Sequence, residues 1–228
     1  MYTLYIGNKN YSSWSLRGWL VMKLSGAPFK EVLVQLQGVG PNPAHKSYSP
    51  SGYVPALHDG NTIVWDTLAI AEYLAERHAG MWPDDPATRA FARSISAEMH
   101  SGFSTLRNDM TMCVRERVDV RPWSEALLAN IERVDAIWNE ARRRHEHAGD
   151  FLCGRFSLAD CFYGPVAFRF QTYGVEPKGE ACSYLESLLA HPFMREWEKA
   201  ALAETTIIEA DEPRVIYREK LAAAARQI

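Results

Sequence analysis

The sequence predicts two kinds of structure in one chain: an α/β unit over residues 1–80, then an all-helical unit over 87–205, with a tail over 206–228. Three observations carry this. Up to about His78, short β-like runs alternate with helical periods. Strand signals stop after Trp82-Pro83-Asp84-Asp85-Pro86, a proline- and aspartate-rich stretch that reads as a linker. Beyond it the apolar residues recur at three- and four-residue spacing.

Tyr2-Thr3-Leu4-Tyr5-Ile6 is rich in β-branched and aromatic residues and predicts a strand. From Ser13 to Leu24 the period changes: Leu16, Leu20 and Leu24 recur every four residues with Trp19 between them, a helix stripe that Gly26-Ala27-Pro28 stops. Phe29 to Leu36 returns to strand character through Val32-Leu33-Val34, and Gly38 to Ser51, rich in Gly, Pro and Ser, predicts at most a short helix. Val54–Leu57 and Thr62–Trp65 predict two brief strands joined at His58-Asp59-Gly60-Asn61, where Asp-Gly is a hairpin signal. Asp66 then caps a helix through Tyr73 and Leu74, so the order is β-α-β-(α)-β-β-α. In the second unit the clearest helix runs from Trp123 to about Arg144, with Leu127, Ile131, Val134, Trp138 and Ala141 on its stripe. Ser157-Leu158-Ala159-Asp160 is a capping box opening a helix through Val166 and Phe170. Leu185–Leu189 and Phe193–Leu202 predict two more helices, split by His191-Pro192.

With 228 residues, 47% of them hydrophobic, the chain can fold on its core alone, burying roughly 70% of its extended surface. Lys and Arg number 25 against 28 Asp and Glu, a net charge of -3; nucleic acid as the main partner would need a strong positive field. No apolar run approaches the roughly 18 residues of a membrane span, and MYTLYIGNKNYSSW lacks the basic start and apolar stretch of a secretory signal. The expectation is a cytoplasmic protein without nucleic-acid or membrane contact. Cys113, Cys153, Cys161 and Cys182 form no C-x-x-C pair, so four free structural thiols are expected. His145-Glu146-His147 reads as a solvated helix end, and no metal is expected.

Three features of the first unit could carry chemistry, and each has a plainer structural reading beside it. The serines of Tyr11-Ser12-Ser13-Trp14-Ser15-Leu16-Arg17 suit helix capping; a hydroxyl and free N–H groups at a helix start also stabilise an anion such as a thiolate. In Ser49-Pro50-Ser51-Gly52-Tyr53-Val54-Pro55-Ala56-Leu57, Pro55 is either an edge-strand proline or a cis residue that turns the Val54 backbone toward a peptide-like ligand. In Trp65-Asp66-Thr67 the pair either caps the next helix or, with the helix dipole, holds a carboxylate.

Together these three motifs resemble the glutathione transferase superfamily over residues 1 to about 205. The layout is similar to a thioredoxin-like domain with Val-Pro before its third strand, an acidic–hydroxyl pair opening its third helix, and a helical second domain. Ser12-Ser13-Trp14-Ser15-Leu16-Arg17 is most similar to the Ser-Ser-Cys-Ser-x-Arg signature of the zeta class, within the serine-type zeta- and theta-like bacterial members. Trp14 takes the cysteine position, which removes the thiol that omega-type members use for thiol transfer. By resemblance, Ser12 is the activating hydroxyl with Ser13 beside it, Val54 and Pro55 present backbone to glutathione, Asp66 and Thr67 hold its γ-glutamyl end, and His45 or Lys46 meets the glycine carboxylate. Glutathione is then the co-substrate and a homodimer the expected assembly.

The electrophile pocket is expected between the units. His100, Phe103 and Arg107 fall at three- and four-residue spacing, hence on one helical face, and Arg169 and Tyr173 share a later face. Two arginines aimed into the cleft would imply an anionic or carboxylate-bearing co-substrate. Conjugation or isomerisation of a small electrophile is the implied activity. A non-catalytic binding or regulatory protein on the same fold, or a glutathione-dependent peroxidase, are the alternatives. The tail after Glu204 either folds back over the cleft or is disordered.

Overall fold

A computed structural model describes residues 1–36 and 42–225. Four strands form one sheet in the order β2-β1-β3-β4: β1 (Tyr2–Ile6), β2 (Phe29–Leu33), β3 (Ala56–Asp59) and β4 (Thr62–Trp65). β1 and β2 run parallel, Tyr2 opposite Phe29, so a crossover must join them, and α1 (Ser13–Ser25) supplies it. β3 lies antiparallel to β1, with Leu4 opposite Leu57, and β4 antiparallel to β3 through the Asp59-Gly60 turn. β2 stops at Leu33, short of Leu36, because the Asn8 side chain takes over the pairing. Its Oδ1 accepts from Leu36 N–H at 3.0 Å and its Nδ2 donates to Gln35 Oε1 at 2.8 Å. Of the Gly38–Ser51 stretch, residues 38–41 lie outside those described, and the rest carries a 3-10 turn, Pro43–Ser47.

Helices α2 (Thr67–Ala75) and α3 (Pro86–Ser101) flank the expected linker. That stretch is packed: Trp82 is buried with its indole N–H on Glu72 Oε1 at 3.1 Å, and Arg89 donates to the carbonyls of Pro83 and Asp84. The remainder is helical, with α4 (Ser104–Asp109), α5 (Glu125–His145), α6 (Leu158–Tyr173), α7 (Glu180–Ala190), α8 (Pro192–Ala203), α9 (Pro213–Ile216) and α10 (Arg218–Ala225). The expected single face for His100, Phe103 and Arg107 does not exist. α3 ends at Ser101, Phe103 takes φ 61°, and α4 starts afresh at Ser104. The Arg107 guanidinium folds back to donate to the carbonyls of Gly102 (3.0 Å), His100 (3.3 Å) and Met99. It thereby satisfies carbonyls that the end of α3 leaves unpaired.

One buried apolar cluster runs from Leu4 and Ile70 in the first unit to Trp138 and Phe162 in the second, with α1 between them. Gly164 on α6 permits this approach, since a Cβ there would stand 2.7 Å from Leu20 Cδ1. The Ser157–Asp160 box is present. Asp160 accepts from Ser157 N–H (2.8 Å), Ser157 Oγ (3.1 Å), Leu152 N–H (3.1 Å) and Tyr184 OH (3.1 Å). Its full burial nevertheless pushes the carboxyl up to about 6. Cys113, Cys153 and Cys161 are buried, Cys182 is exposed, and all four are free.

After α8 the tail folds back across the opening of α1. The Glu204 carboxylate accepts the N–H groups of Lys9 (2.7 Å) and Asn10 (3.0 Å). Further on, Glu212 meets the Tyr11 hydroxyl, which also accepts from Arg115 Nη2 at 2.6 Å.

Candidate functional site

The turn into α1 is held on several sides, which fixes where its hydroxyls sit. Besides the Glu204 clamp, Asn10 accepts from Arg115 N–H at 3.0 Å through its side chain, and its backbone carbonyl accepts from Val114 N–H at 3.2 Å. Ser12 then caps α1: its Oγ accepts from Ser15 N–H at 3.3 Å and donates to Ser15 Oγ at 2.7 Å. Ser15 Oγ in turn accepts from Gly7 N–H at 2.8 Å. Ser13, the first residue of α1, accepts at Oγ from Arg169 Nη2 at 3.4 Å.

Three guanidiniums surround this turn. Arg169 reaches it from α6 and is pinned by the Met110 carbonyl at 2.6 Å. Arg17 is completely buried, donating from Nε to the Phe162 carbonyl at 2.9 Å. Arg17 and Arg107 lie 4.8 and 4.7 Å from the centre of the Trp14 ring. Among the described residues none of the three has a carboxylate within ion-pair distance, and Arg17 Nη2, Arg107 Nη1 and Arg169 Nη1 lack hydrogen-bond partners. Burial, with repulsion from Arg107 and Arg169, holds Arg17 well below the usual arginine range. Burial and Arg107 lower Arg169 to about 9, so it stays charged at neutral pH.

A cavity of about 600 Å³ opens against this cluster. Its walls are Tyr11 to Trp14 at the start of α1, His45, Tyr53 and Val54 from the first unit, Arg107, Thr111 and Arg169 from the second, and Ala210 and Asp211 from the tail. A smaller cavity of about 280 Å³ is lined by Trp14, Ser51, Tyr53, Val54, Pro55, Trp65, Asp66 and Thr67. The two share Trp14, Tyr53 and Val54, so they form adjoining lobes. The Val54–Pro55 peptide is cis. Asp66 caps α2 through Leu68 N–H at 2.8 Å and faces His100 Nε2 at 3.4 Å. Burial raises its carboxyl, but the bonds from His100 and Leu68 outweigh that and leave it below the usual range. Thr67 is buried with its hydroxyl directed to the Trp14 carbonyl at 3.4 Å.

Of the residues singled out in the sequence, Ser12, Ser13, His45, Val54, Arg107 and Arg169 line the larger lobe, and Val54, Pro55, Asp66 and Thr67 the smaller. Four do not line either lobe. Lys46 is exposed outside the cleft, and His100 packs edge-on beneath the Trp14 ring at 5.3 Å. Phe103 is buried, and Tyr173 is buried with its hydroxyl 3.1 Å from Thr111 Oγ1. Arg17, Tyr53, Thr111 and Asp211 were assigned no role from the sequence. Arg17 alone carried a signal, a charge inside the apolar stripe Leu16–Leu20.

The N-terminal domain model of the glutathione S-transferase family matches residues 11–77, and its C-terminal domain model matches residues 121–200. The chain is 38% identical over 162 residues to a zeta-class glutathione S-transferase of Euphorbia esula, covering 68% of this chain and 70% of that protein. The chain belongs to the glutathione S-transferase family. Its first unit is accordingly the family's thioredoxin-like domain, with a four-stranded mixed sheet, and its second the family's helical domain. A stringent starvation protein A homolog of Haemophilus ducreyi is 22% identical over 182 residues, 78% of this chain and 79% of its own. The crystal structure of a glutathione transferase homolog from Burkholderia, with bound glutathione, shares the transferase fold at a TM-score of 0.67 and 24% identity, over 89% of this chain and 99% of that one. Among the described residues of the chain no helix is long and apolar enough to cross a membrane, and no group of three or more His, Cys, Asp or Glu could hold a metal ion.

Proposed function

We propose that this protein binds glutathione along the two adjoining lobes, ionises its thiol at the start of α1, and presents the sulfur to a small electrophile for conjugation or isomerisation. The reading rests on one juxtaposition: the α1 hydroxyls, the Val54 backbone and two arginines that each keep Nη1 without a hydrogen-bond partner line a single cavity. The γ-glutamyl end lies toward Asp66 and Thr67 in the smaller lobe, and the glycine carboxylate toward His45. Buried cations without counter-ions are costly. Arg107 and Arg169 therefore favour an electrophile that carries a carboxylate.

The required chemistry is modest. A thiol of pKa about 8.5 is only about 3% thiolate at pH 7. Lowering it to about 6.5 gives roughly 75% for about 2.7 kcal/mol, within reach of one charge-assisted hydrogen bond plus a helix N-terminus. The gain is about 25-fold, so holding the electrophile beside the sulfur contributes the larger share. A cytoplasmic homodimer follows from the family resemblance.

The second reading is a non-catalytic binding or regulatory protein that keeps the fold, and the likeness to a protein named for stringent starvation, with no transferase activity in its name, supports it. Calorimetry with glutathione separates the two: a regulatory scaffold gives no heat and no retention on immobilised glutathione, whereas the enzyme gives both. Turnover then refines the substrate class. Arg107→Ala is expected to slow carboxylated electrophiles about tenfold more than neutral ones; equal losses would remove the carboxylate from the proposal.

A further inference from the structure

The Ser-Ser pair offers two hydroxyls, and the hydrogen bonds around them are unequal. Ser12 Oγ donates its only proton to Ser15 Oγ at 2.7 Å while accepting from Ser15 N–H, so its bonds are spent on capping α1. Turning that proton toward the cavity would give up the bond to Ser15. Ser13 is arranged oppositely. It borders the larger cavity, its Oγ lone pair receives Arg169 Nη2 at 3.4 Å, and its own proton is committed to no acceptor among the described residues. A hydroxyl that accepts from a cation becomes a better donor, and the first turn of α1 adds the positive end of the helix dipole.

Arg169 is fitted to this part. It is 4% exposed, the Met110 carbonyl fixes its Nε at 2.6 Å, and its Nη1 has no partner while the residue lines the same cavity. The other ionisable groups on that wall are Arg107 from α4, His45, Tyr11 and Tyr53 from the first domain, and Asp211 from the tail. Burial raises the Asp211 carboxyl, with Arg169 opposing that rise and Glu212 adding to it.

We propose that Ser13, polarised by Arg169, donates the hydrogen bond that holds the glutathione sulfur as thiolate, while Ser12 acts as the structural cap of α1. The inference rests on the functional reading above and assigns its central step. The thiol proton passes to solvent water, Ser13 keeps its own proton, and no covalent bond to the serine forms. Ser13 is the catalytic residue and Arg169 the positioning residue that acts through it.

The test is an ultraviolet titration of thiolate in the glutathione complex, with glutathione binding measured by calorimetry on the same samples. In the wild type the bound thiol is expected to titrate about two units below its free value. Ser13→Ala raises that pKa by at least one unit, a tenfold loss of thiolate on the acid side, and moves the acid limb of the kcat/KM profile with it. Ser12→Ala shifts it by less than half a unit, its effect falling on thermal stability. Arg169→Gln reproduces the Ser13→Ala shift, Arg169→Lys keeps part of the lowering, and adding Arg169→Gln to Ser13→Ala adds little. Should the buried Arg169 variants not fold, as judged by circular dichroism, the two serine variants decide. A depressed pKa that survives Ser13→Ala and disappears in Ser12→Ala overturns the assignment, as does an undepressed pKa in a wild type that binds glutathione. Absence of glutathione binding in the wild type overturns the functional reading and this inference with it.

Discussion

Replacing Tyr11 with Phe tests how the tail is held over the cleft. The Tyr11 hydroxyl donates to the Glu212 carboxylate and accepts from Arg115 Nη2 at 2.6 Å and Ile208 N–H at 3.3 Å. Burial and the Glu212 bond push it up to about 12, so it remains protonated near neutral pH. Glu212 is only 7% exposed, and its nearest cation, Arg115, stands 3.7 Å away. Removing the oxygen deprives a buried carboxylate of its hydroxyl donor and Ile208 N–H of its acceptor. A bond to a charged group contributes about 1.5–3 kcal/mol and an orphaned donor about 1 kcal/mol or more. Retained pairing between Arg115 and Glu212 offsets part, leaving about 2–3 kcal/mol. At about 1.4 kcal/mol per decade this is a roughly 30- to 140-fold rise in local opening. Hydrogen exchange followed by mass spectrometry reads it directly: peptides over residues 204–217 exchange faster by that factor, while α5 and α6 change little. Exchange in that segment within threefold of wild type would refute the claim that this hydroxyl ties down the tail.

Other substitutions probe the frame of the site. Asp160→Ala strips the acceptor from two buried backbone N–H groups and two hydroxyls. The expected loss is about 3–5 kcal/mol, seen as a fall in Tm of about 10 °C. The same pair of proteins carries a pH dependence. Burial raises Asp160 to about 6 from 3.8, so the native state holds a proton that the unfolded chain releases. That contribution is complete below pH 4 and lost as pH rises through 6. The advantage of wild type over Asp160→Ala therefore grows by up to roughly 3 kcal/mol from pH 7 to pH 4, and a constant difference in denaturant melts would contradict it. At Gly18 a Cβ would stand 2.7 Å from Pro55 Cγ. Gly18→Ala is thus expected to cost about 1–3 kcal/mol and to weaken glutathione binding measurably by calorimetry, because it displaces Pro55, which lines the smaller lobe next to Val54.

Local chemistry made much of this molecule legible. Periodicity located α1 and α5, the Asp-Gly pair located the hairpin, and the Ser157–Asp160 spacing located the start of α6, because each depends on residues within one or two turns of each other. The helix expected across His100 to Arg107 failed for a reason spacing does not carry: the backbone breaks at Phe103 with φ 61°, and the long Arg107 guanidinium turns back onto carbonyls five to eight residues earlier. Residues 82–86 likewise read as linker by composition, yet Trp82 found Glu72 and became buried.

The sequence by itself determined the order of elements, the α/β and helical halves, and the short list of hydroxyls, Val-Pro and Asp-Thr pairs that line the two lobes. Only the tertiary structure decided which hydroxyl is free to donate, since that depends on Arg169 arriving at Ser13 from 156 residues away. It also decided that Arg17, Arg107 and Arg169 share one neighbourhood without a counter-ion, and that the tail closes over Tyr11. Hydrogen bonds and charges act over a few ångströms in space, whereas sequence spacing reports only on neighbours along the chain.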